Sequence, residues 1–163
     1  MPKIIENVEG KLIEAGRKTL FEDGYRAFTM RTVAARCGIG LGTAYNYFDS
    51  KELLTAQIIL QDWENAKAAM QEKLDAVDTP EEKAKVLYEQ ILSFNSMYKK
   101  VWSQYAGMSH AANSVSDYHE KYMKQLCEMS GLEMFVAEVI NHFATVADMA
   151  YEEIEPYINK LLK

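Results

Sequence analysis

The stretch that decides the fold runs from Phe28 to Leu54 and reads FTMRTVAARCGIGLGTAYNYFDSKELL. Its first part predicts a short amphipathic helix with Thr29 as N-cap, because a threonine hydroxyl accepts a hydrogen bond from a free amide of the first turn. Gly38 supplies the backbone geometry of a tight turn, and a second helix is predicted over residues 41–48. Two short helices joined in this way indicate a helix-turn-helix, whose second helix is shaped to enter the major groove of DNA.

Polar side chains cluster on the predicted second helix. Thr43 and Asn46 are three residues apart and therefore share one helix face. An asparagine amide pairs with adenine through two hydrogen bonds, and the Thr43 methyl or Leu41 can pack against a thymine methyl. Backbone amides at the start of a helix are phosphate donors, which makes the Thr29 and Gly42 regions candidate contacts to the DNA backbone.

The motifs of this stretch resemble those of the TetR family of bacterial transcriptional regulators. The likeness rests on T-x-R-x-V-A, C-G-I-G, G-T-A-Y-N-Y-F and S-K-E-L, and it extends from about residue 11 to residue 54. The resemblance implies that Tyr45, Tyr47 and Lys51 contact phosphates. It also implies that Thr29 and Arg31 anchor the near strand from the first turn of the first helix.

Two positions depart from the family's common pattern. Gly40 stands where a serine often caps the recognition helix, and Leu41 stands where a polar or basic residue is common. The recognition helix therefore lacks an arginine or lysine to read guanine, and we expect a preference for A·T-rich sites. The alternative interpretation of Tyr45 and Tyr47 is that one of them packs in the core beneath the helix, where Phe48 is expected.

The charge of the chain is divided unevenly along its length. The net charge is −6 over 163 residues, yet residues 1–54 carry +1 and residues 55–163 carry −7. All four arginines lie within the first 36 residues. An acidic C-terminal part would orient the N-terminal part toward DNA, so the overall negative charge does not exclude DNA binding of modest non-specific affinity.

Length and composition favour one compact unit or two small, closely packed domains. With 48% hydrophobic residues in 163, we expect an all-α fold, with a helix-turn-helix DNA-binding domain in residues 1–50 and a helical effector-binding and dimerisation domain in residues 51–163. The sequence contains no uncharged apolar run of about 18 residues, and the first ten residues carry charges, so we expect a cytoplasmic protein. Cys37 and Cys127 lack metal-ligand spacing and are expected to be reduced.

Local signals mark where several further helices begin. Asp49 with Glu52 predicts a capping box, and Thr79 followed by Pro80 predicts an N-cap and a first helical residue. Gly16 lies inside the first helix, where it costs about 1 kcal/mol against alanine, so we expect a close helix crossing there. The predicted helices cover residues 8–22, 50–75, 80–105, 115–129 and 132–153, with a short last helix from residue 156.

The apolar residues of the last helices cover more than one core-facing side. We therefore expect two helices that meet their symmetry mates in a four-helix bundle, which would place two recognition helices about 34 Å apart on a pseudo-palindrome. The alternative is a helix buried completely within one subunit. The candidate interface residues are Phe135, Val139, Ile140, Phe143, Val146, Ala147, Ile158 and Leu161.

The family resemblance also implies a small effector bound by the C-terminal part. Aromatic and methionine side chains make adaptable walls for flat apolar ligands, although such a cluster is equally well explained as ordinary core. The candidate residues are Tyr98, Trp102, Tyr105, Met108, Tyr118, Tyr122 and Met123. The three histidines have no metal-ligand spacing, and no metal or cofactor is expected.

Other classes of function fit the sequence less well. An enzyme is not expected, since no glycine-rich phosphate loop, G-x-S-x-G or H-E-x-x-H pattern is present. A helical protein-interaction module with a degenerate helix-turn-helix and no regulatory ligand remains the alternative. The sequence therefore favours a homodimeric DNA-binding regulator, with a repressor released by an effector as its expected mechanism.

Overall fold

Eight α-helices and no strand make up the part of the chain that the structure describes. The computed structural model describes the backbone of residues 7–105, 115–146 and 149–163, and the side chains of these residues apart from 102–105 and 115–120. In chain order the helices are α1 (Val8–Asp23), α2 (Met30–Cys37), α3 (Leu41–Tyr45), α4 (Lys51–Leu74), α5 (Pro80–Tyr105), α6 (Val115–Ser130), α7 (Met134–Val146) and α8 (Tyr151–Leu161). The predicted all-α class is confirmed.

The described residues fall into two compact units. The first, which we call the head, holds the residues up to Glu64 together with those from Lys100 to the end of α5. The second, which we call the body, holds Asn65–Lys99 and the described residues after α5. None of the helices in the described ranges is both long enough and apolar enough to cross a membrane.

In the head, α1 approaches the first half of α4 at Gly16. A Cβ atom added to Gly16 would lie 2.9 Å from Cδ1 of Ile58 and 3.4 Å from Cδ2 of Leu54. Leu12 and Leu20 of α1 are buried beside this crossing. The close approach expected from a glycine inside a helix is confirmed, because any side chain at this position would meet the core side chains of α4.

The helix-turn-helix forms as the sequence predicts. Thr29 is extended (φ −133°, ψ 153°), and its Oγ1 accepts a hydrogen bond at 3.1 Å from the third amide of α2. Gly38 ends α2 in the left-handed region (φ 67°, ψ 31°). The second helix ends three residues earlier than predicted, because the amides of Asn46 and Tyr47 bond to carbonyls three residues back at 3.2 and 3.1 Å and so tighten its last turn.

The start of α4 corrects one prediction. Ser50, not Asp49, caps the helix, since its Oγ accepts the Leu53 amide at 3.2 Å. Serine and aspartate are about equally good N-caps, so the sequence Asp49-Ser50 by itself does not choose between them. The helix then runs from Lys51 to Leu74, close to the predicted range.

In the body, α5 begins with the predicted N-cap Thr79, which forms a capping box with Glu82. The amide and hydroxyl of Thr79 donate to Oε2 of Glu82 at 3.1 and 2.7 Å, and the Glu82 amide donates to Oγ1 of Thr79 at 3.2 Å. Further along α5, the ring of the buried Tyr88 packs against that of Tyr151 at a tilt of 53°, with centroids 5.6 Å apart, and its hydroxyl donates to the Met149 carbonyl at 2.7 Å. These contacts attach the start of α8 to α5.

The single helix predicted over residues 132–153 is wrong. The chain forms α7 and α8 instead, with Ala150 extended between them (φ −75°, ψ 151°) and its amide donating to Oε2 of Glu153 at 2.9 Å. That bond starts α8 at Tyr151. Pro156, predicted to begin the last helix, lies inside α8. The start of α8 is thus fixed by the cap from Glu153 and by the tyrosine contacts to α5.

Candidate nucleic-acid interface

The recognition helix α3 presents its polar side chains to solvent. Tyr45 and Tyr47 are 46% and 48% exposed, and Thr43 and Asn46 are exposed as well. Ala44, on the opposite side, is completely buried. The residues for which the sequence predicts contacts to bases and phosphates therefore share an accessible surface, and neither tyrosine packs in the core.

Two glycines, Gly40 and Gly42, lie at the N-terminal end of α3. Gly40 is the N-cap residue and forms no side-chain cap, as its lack of a side chain requires. Gly42 is exposed, with no atom within 4 Å of the position that a Cβ would take, while Leu41 is half-buried. The open space at Gly42 leaves room for close approach of a ligand backbone to this turn.

The start of α2 supplies a second group of candidate contacts. The Thr29 hydroxyl caps α2 and also lies 2.8 Å from Oγ1 of Thr32. Arg31 is exposed, and the described residues offer it no ion pair. Free amides and a cationic side chain at one helix start favour an anion in front of them.

Lys51, at the first position of α4, lies against an aromatic ring. Its Nζ is 4.2 Å from the ring centroid of Tyr25, which is 2% exposed and stacks on Phe28 with centroids 6.3 Å apart. The Tyr25 hydroxyl donates to Oε1 of Glu52 at 3.5 Å. The sequence does not predict this role of Tyr25, because no residue near it in sequence indicates a partner 26 residues later.

Two of the four arginines are used inside the head and not on the candidate interface. Arg36 forms ion pairs with Glu22 at 2.9 Å and Asp23 at 2.8 Å. Arg17 donates through Nε to Asp62 at 2.7 Å. In the sequence both arginines contribute only to the positive charge of the N-terminal part, whereas in the structure they connect helices through these ion pairs.

A cleft of about 490 Å³ in the head lies apart from the candidate residues, none of which lines it. Its walls combine basic and acidic side chains with Cys37, whose Sγ donates to the Lys11 carbonyl at 3.3 Å. Burial raises the pKa of the Cys37 thiol, which favours its protonated form. The lining residues are Lys11, Glu14, Ala15, Lys18, Glu22, Arg36 and Cys37.

The structure describes the side chains of only some of the candidate effector residues. Tyr98 and Met123 are buried in the body, and Phe94 lies beside Tyr98 with ring centroids 5.2 Å apart. Tyr122 donates its hydroxyl to Oδ1 of Asn141 at 3.0 Å, and burial raises its pKa well above the usual range. The side chains of Trp102, Tyr105 and Tyr118, and the whole of Met108, lie outside the described part of the chain.

The candidate dimer residues separate into an inner and an outer set. Ile140 and Ile158 are completely buried within the chain itself and are not accessible to a partner. By contrast, Phe135 is 62%, Val146 67% and Leu161 41% exposed. The remaining candidates are the partly buried Val139 and Phe143, and Ala147, which lies outside the described residues.

Comparison with known proteins finds similarity to a known family in the N-terminal region. Residues 12–58 match the family model for bacterial regulatory proteins of the tetR family. A segment of 67 residues is 36% identical to the HTH-type transcriptional regulator UidR of Escherichia coli, covering 41% of this chain and 34% of that protein. A segment of 50 residues is 44% identical to an HTH-type transcriptional regulator of Mycobacterium bovis, covering 31% of this chain and 24% of that protein.

The chain spans about a third of the length of the first curated relatives it matches. Over 94% of its length it resembles the solved structure of the multidrug binding protein EbrR (91% of that chain covered, TM-score 0.63, 19% identity). The fatty acid degradation regulator FadR from Bacillus halodurans gives a TM-score of 0.61 at 16% identity, with 94% and 93% covered. At these identities the likeness shows the fold alone. The predicted resemblance of residues 11–54 to the family is confirmed by the family-model match over residues 12–58.

Proposed function

We propose that this chain, whose helix-turn-helix is that of the TetR family, is a DNA-binding transcriptional regulator. The observation that carries the proposal is that α3 buries Ala44 completely, whereas Thr43 and Tyr45 of α3 and the next two residues, Asn46 and Tyr47, are exposed. The hydroxyl and amide groups of these side chains can bind a partner through hydrogen bonds. A DNA surface provides that partner through phosphates and base edges.

The exposed residues have separate roles in this proposal. Asn46 and Thr43 face base edges, where the amide of Asn46 can pair with adenine. Tyr45, Tyr47 and Lys51 contact phosphates. Because α3 carries no arginine or lysine, the proposed operator is rich in A·T pairs at the contacted positions, and selection from a random duplex pool would return G-rich sites if this assignment is wrong.

Phosphate contacts near the start of α2 complete the proposed interface. Thr29 and Arg31 stand at the first turn of that helix. If Arg31, Lys51 and one N-terminal lysine of each subunit meet phosphates, a dimer neutralises about six charges and the log–log slope of affinity against salt is roughly −5.

We further propose that the regulator is a homodimer joined by α7 and α8. Phe135 and Val146 lie on the outer side of α7, away from the buried Val136, Ile140 and Ala144. On α8, Tyr157 and Leu161 are likewise exposed, at 62% and 41%. Two such faces on adjacent helices suit a four-helix bundle with a second copy of the chain, which would set two recognition helices on one pseudo-palindromic operator.

The proposed mode of regulation is repression relieved by a small apolar or aromatic effector bound in the body. The support is the group of aromatic and methionine residues that includes Tyr98, Tyr122 and Met123. An effector can act only through a difference in affinity between the DNA-competent and DNA-incompetent states, so operator DNA must weaken effector binding by the same factor. Equal effector affinities with and without operator would contradict this part of the proposal. Repression at a bacterial operator would also place the protein in the cytoplasm.

The decisive experiment is binding of the purified protein to its own upstream intergenic DNA at two salt concentrations, with random duplex as competitor. We expect specific, salt-sensitive binding by a dimer. Lys51→Ala should weaken it and reduce the slope by about 2 for two subunits, whereas Lys124→Ala, which removes the same charge from an exposed position on α6, should not. Unchanged binding in Tyr45→Ala and Lys51→Ala would favour the protein-interaction module instead.

A further inference from the structure

Tyr25 occupies a position between the two charges of the first turn of α4. The face of its ring lies 4.2 Å from Nζ of Lys51, and its hydroxyl lies 3.5 Å from Oε1 of Glu52. The side chain is 2% exposed and stacks on the fully buried Phe28. The ring is therefore fixed by the core of the head, while one of its faces meets an ammonium group near the surface.

We propose that Tyr25 is a positioning residue that holds Lys51 for contact with a DNA phosphate. The inference rests on the proposed function, because it explains how Lys51 is held in place before it contacts a phosphate. A lysine side chain has many rotamers and loses this freedom when it is ordered at a ligand. A ring face within about 6 Å of an ammonium attracts it electrostatically, so Tyr25 would restrict Lys51 before DNA arrives.

The geometry leaves Lys51 able to bind an anion while it is held. An ammonium has three N–H donors, and a ring face occupies one side of it, so donors remain for a phosphate oxygen. The hydroxyl of Tyr25 points to the neighbouring Glu52 and donates to its Oε1 at 3.5 Å, so it takes no donor from Lys51. One buried side chain thus contacts both charges at the start of α4.

The test is a double-mutant cycle on binding to a random-sequence duplex, measured by fluorescence anisotropy over a range of salt concentrations. We expect Tyr25→Leu to weaken binding roughly 5- to 30-fold for the two subunits of a dimer, from the usual strength of an ammonium–ring contact. In the Lys51→Ala background the same substitution should change affinity less than about twofold, since coupled residues are not additive. Tyr25→Phe, which keeps the ring, should stay near wild type.

A structural control separates positioning from loss of fold. Leu12→Val removes buried volume at a completely buried position on α1 in the same unit, so its effect on affinity should be equal in both Lys51 backgrounds. If Tyr25→Leu also causes equal losses in both backgrounds, the role of Tyr25 is structural and the inference is overturned. Wild-type affinity in a folded Tyr25→Leu variant overturns it as well.

The contact between Tyr25 and Lys51 can also be measured in the wild-type protein, without any substitution. The side-chain methylene protons next to the Lys51 ammonium should show an upfield ring-current shift in the NMR spectrum, and Tyr25→Phe should retain it. Unshifted protons overturn the inference but leave the proposed function standing. A wild-type chain that binds no duplex at low salt overturns the proposed function and this inference together.

Discussion

Gly16→Ala tests the helix crossing on which the head depends. The added methyl would lie 2.9 Å from Cδ1 of Ile58, a side chain that is completely buried. Overpacking of this kind costs about 1–3 kcal/mol, while alanine gains about 1 kcal/mol of helix propensity over glycine. The expected net effect is a loss of about 1 kcal/mol in the free energy of unfolding.

The structure allows this clash to be isolated, because Ile58→Val removes the atom that the new methyl meets. Alone, Ile58→Val should cost about 1 kcal/mol through loss of buried contacts. Combined with Gly16→Ala, the methyl would occupy the vacated space and the clash would disappear, so the propensity gain of about 1 kcal/mol should offset the Ile58→Val loss and the double variant should be about as stable as wild type, not less stable by the additive 2 kcal/mol. The measurement is equilibrium urea unfolding of the four proteins, with the m-value checked for constancy.

Gly42→Ala is the matched control for Gly16→Ala. Nothing lies within 4 Å of the position of a Cβ at Gly42, so only the helix propensity changes and stability should rise by up to about 1 kcal/mol. Additive losses for Gly16→Ala and Ile58→Val, within about 0.5 kcal/mol, would refute the contact-based reasoning. A stabilising Gly16→Ala would do the same.

Three further outcomes follow from named contacts. Thr79→Ala should lower the free energy of unfolding by about 1 kcal/mol, measured by urea unfolding, through loss of the N-cap of α5. The hydrogen bond from the Thr79 side chain lowers the pKa of Glu82, so the contribution of Glu82 to stability is present above its unfolded pKa and is lost as the pH falls through its folded pKa. Thr79→Ala should flatten that acid dependence, and an unchanged profile would contradict it. Arg36→Ala should cost up to about 1 kcal/mol in low salt and less in high salt, since its ion pairs are partly exposed; a salt-independent loss would indicate packing instead. Phe135→Glu should convert dimer to monomer in sedimentation velocity, while Met97→Glu, at a position on α5 that is 46% exposed, should remain dimeric; a dimeric Phe135→Glu variant would exclude the proposed interface.

The sequence by itself determined the elements whose signals are local. Thr29, Gly38 and the pair Thr79-Pro80 each act on backbone groups a few residues away, through a cap, a left-handed turn or a fixed φ angle. Gly16 predicted a close crossing because a glycine inside a helix carries a cost that some contact must offset. The helix-turn-helix and its family resemblance can therefore be predicted from the sequence alone.

Only the tertiary structure decided features that depend on residues distant in sequence. The break between α7 and α8 falls in a stretch without glycine or proline, and α8 is attached to α5 by Tyr88, whose hydroxyl binds the Met149 carbonyl. Likewise, the ion pairs of Arg36 and the contact between Tyr25 and Lys51 join separate segments of the chain. Periodicity and capping rules describe interactions between residues that lie within about one helical turn of each other. The contacts named here form only after the helices have packed.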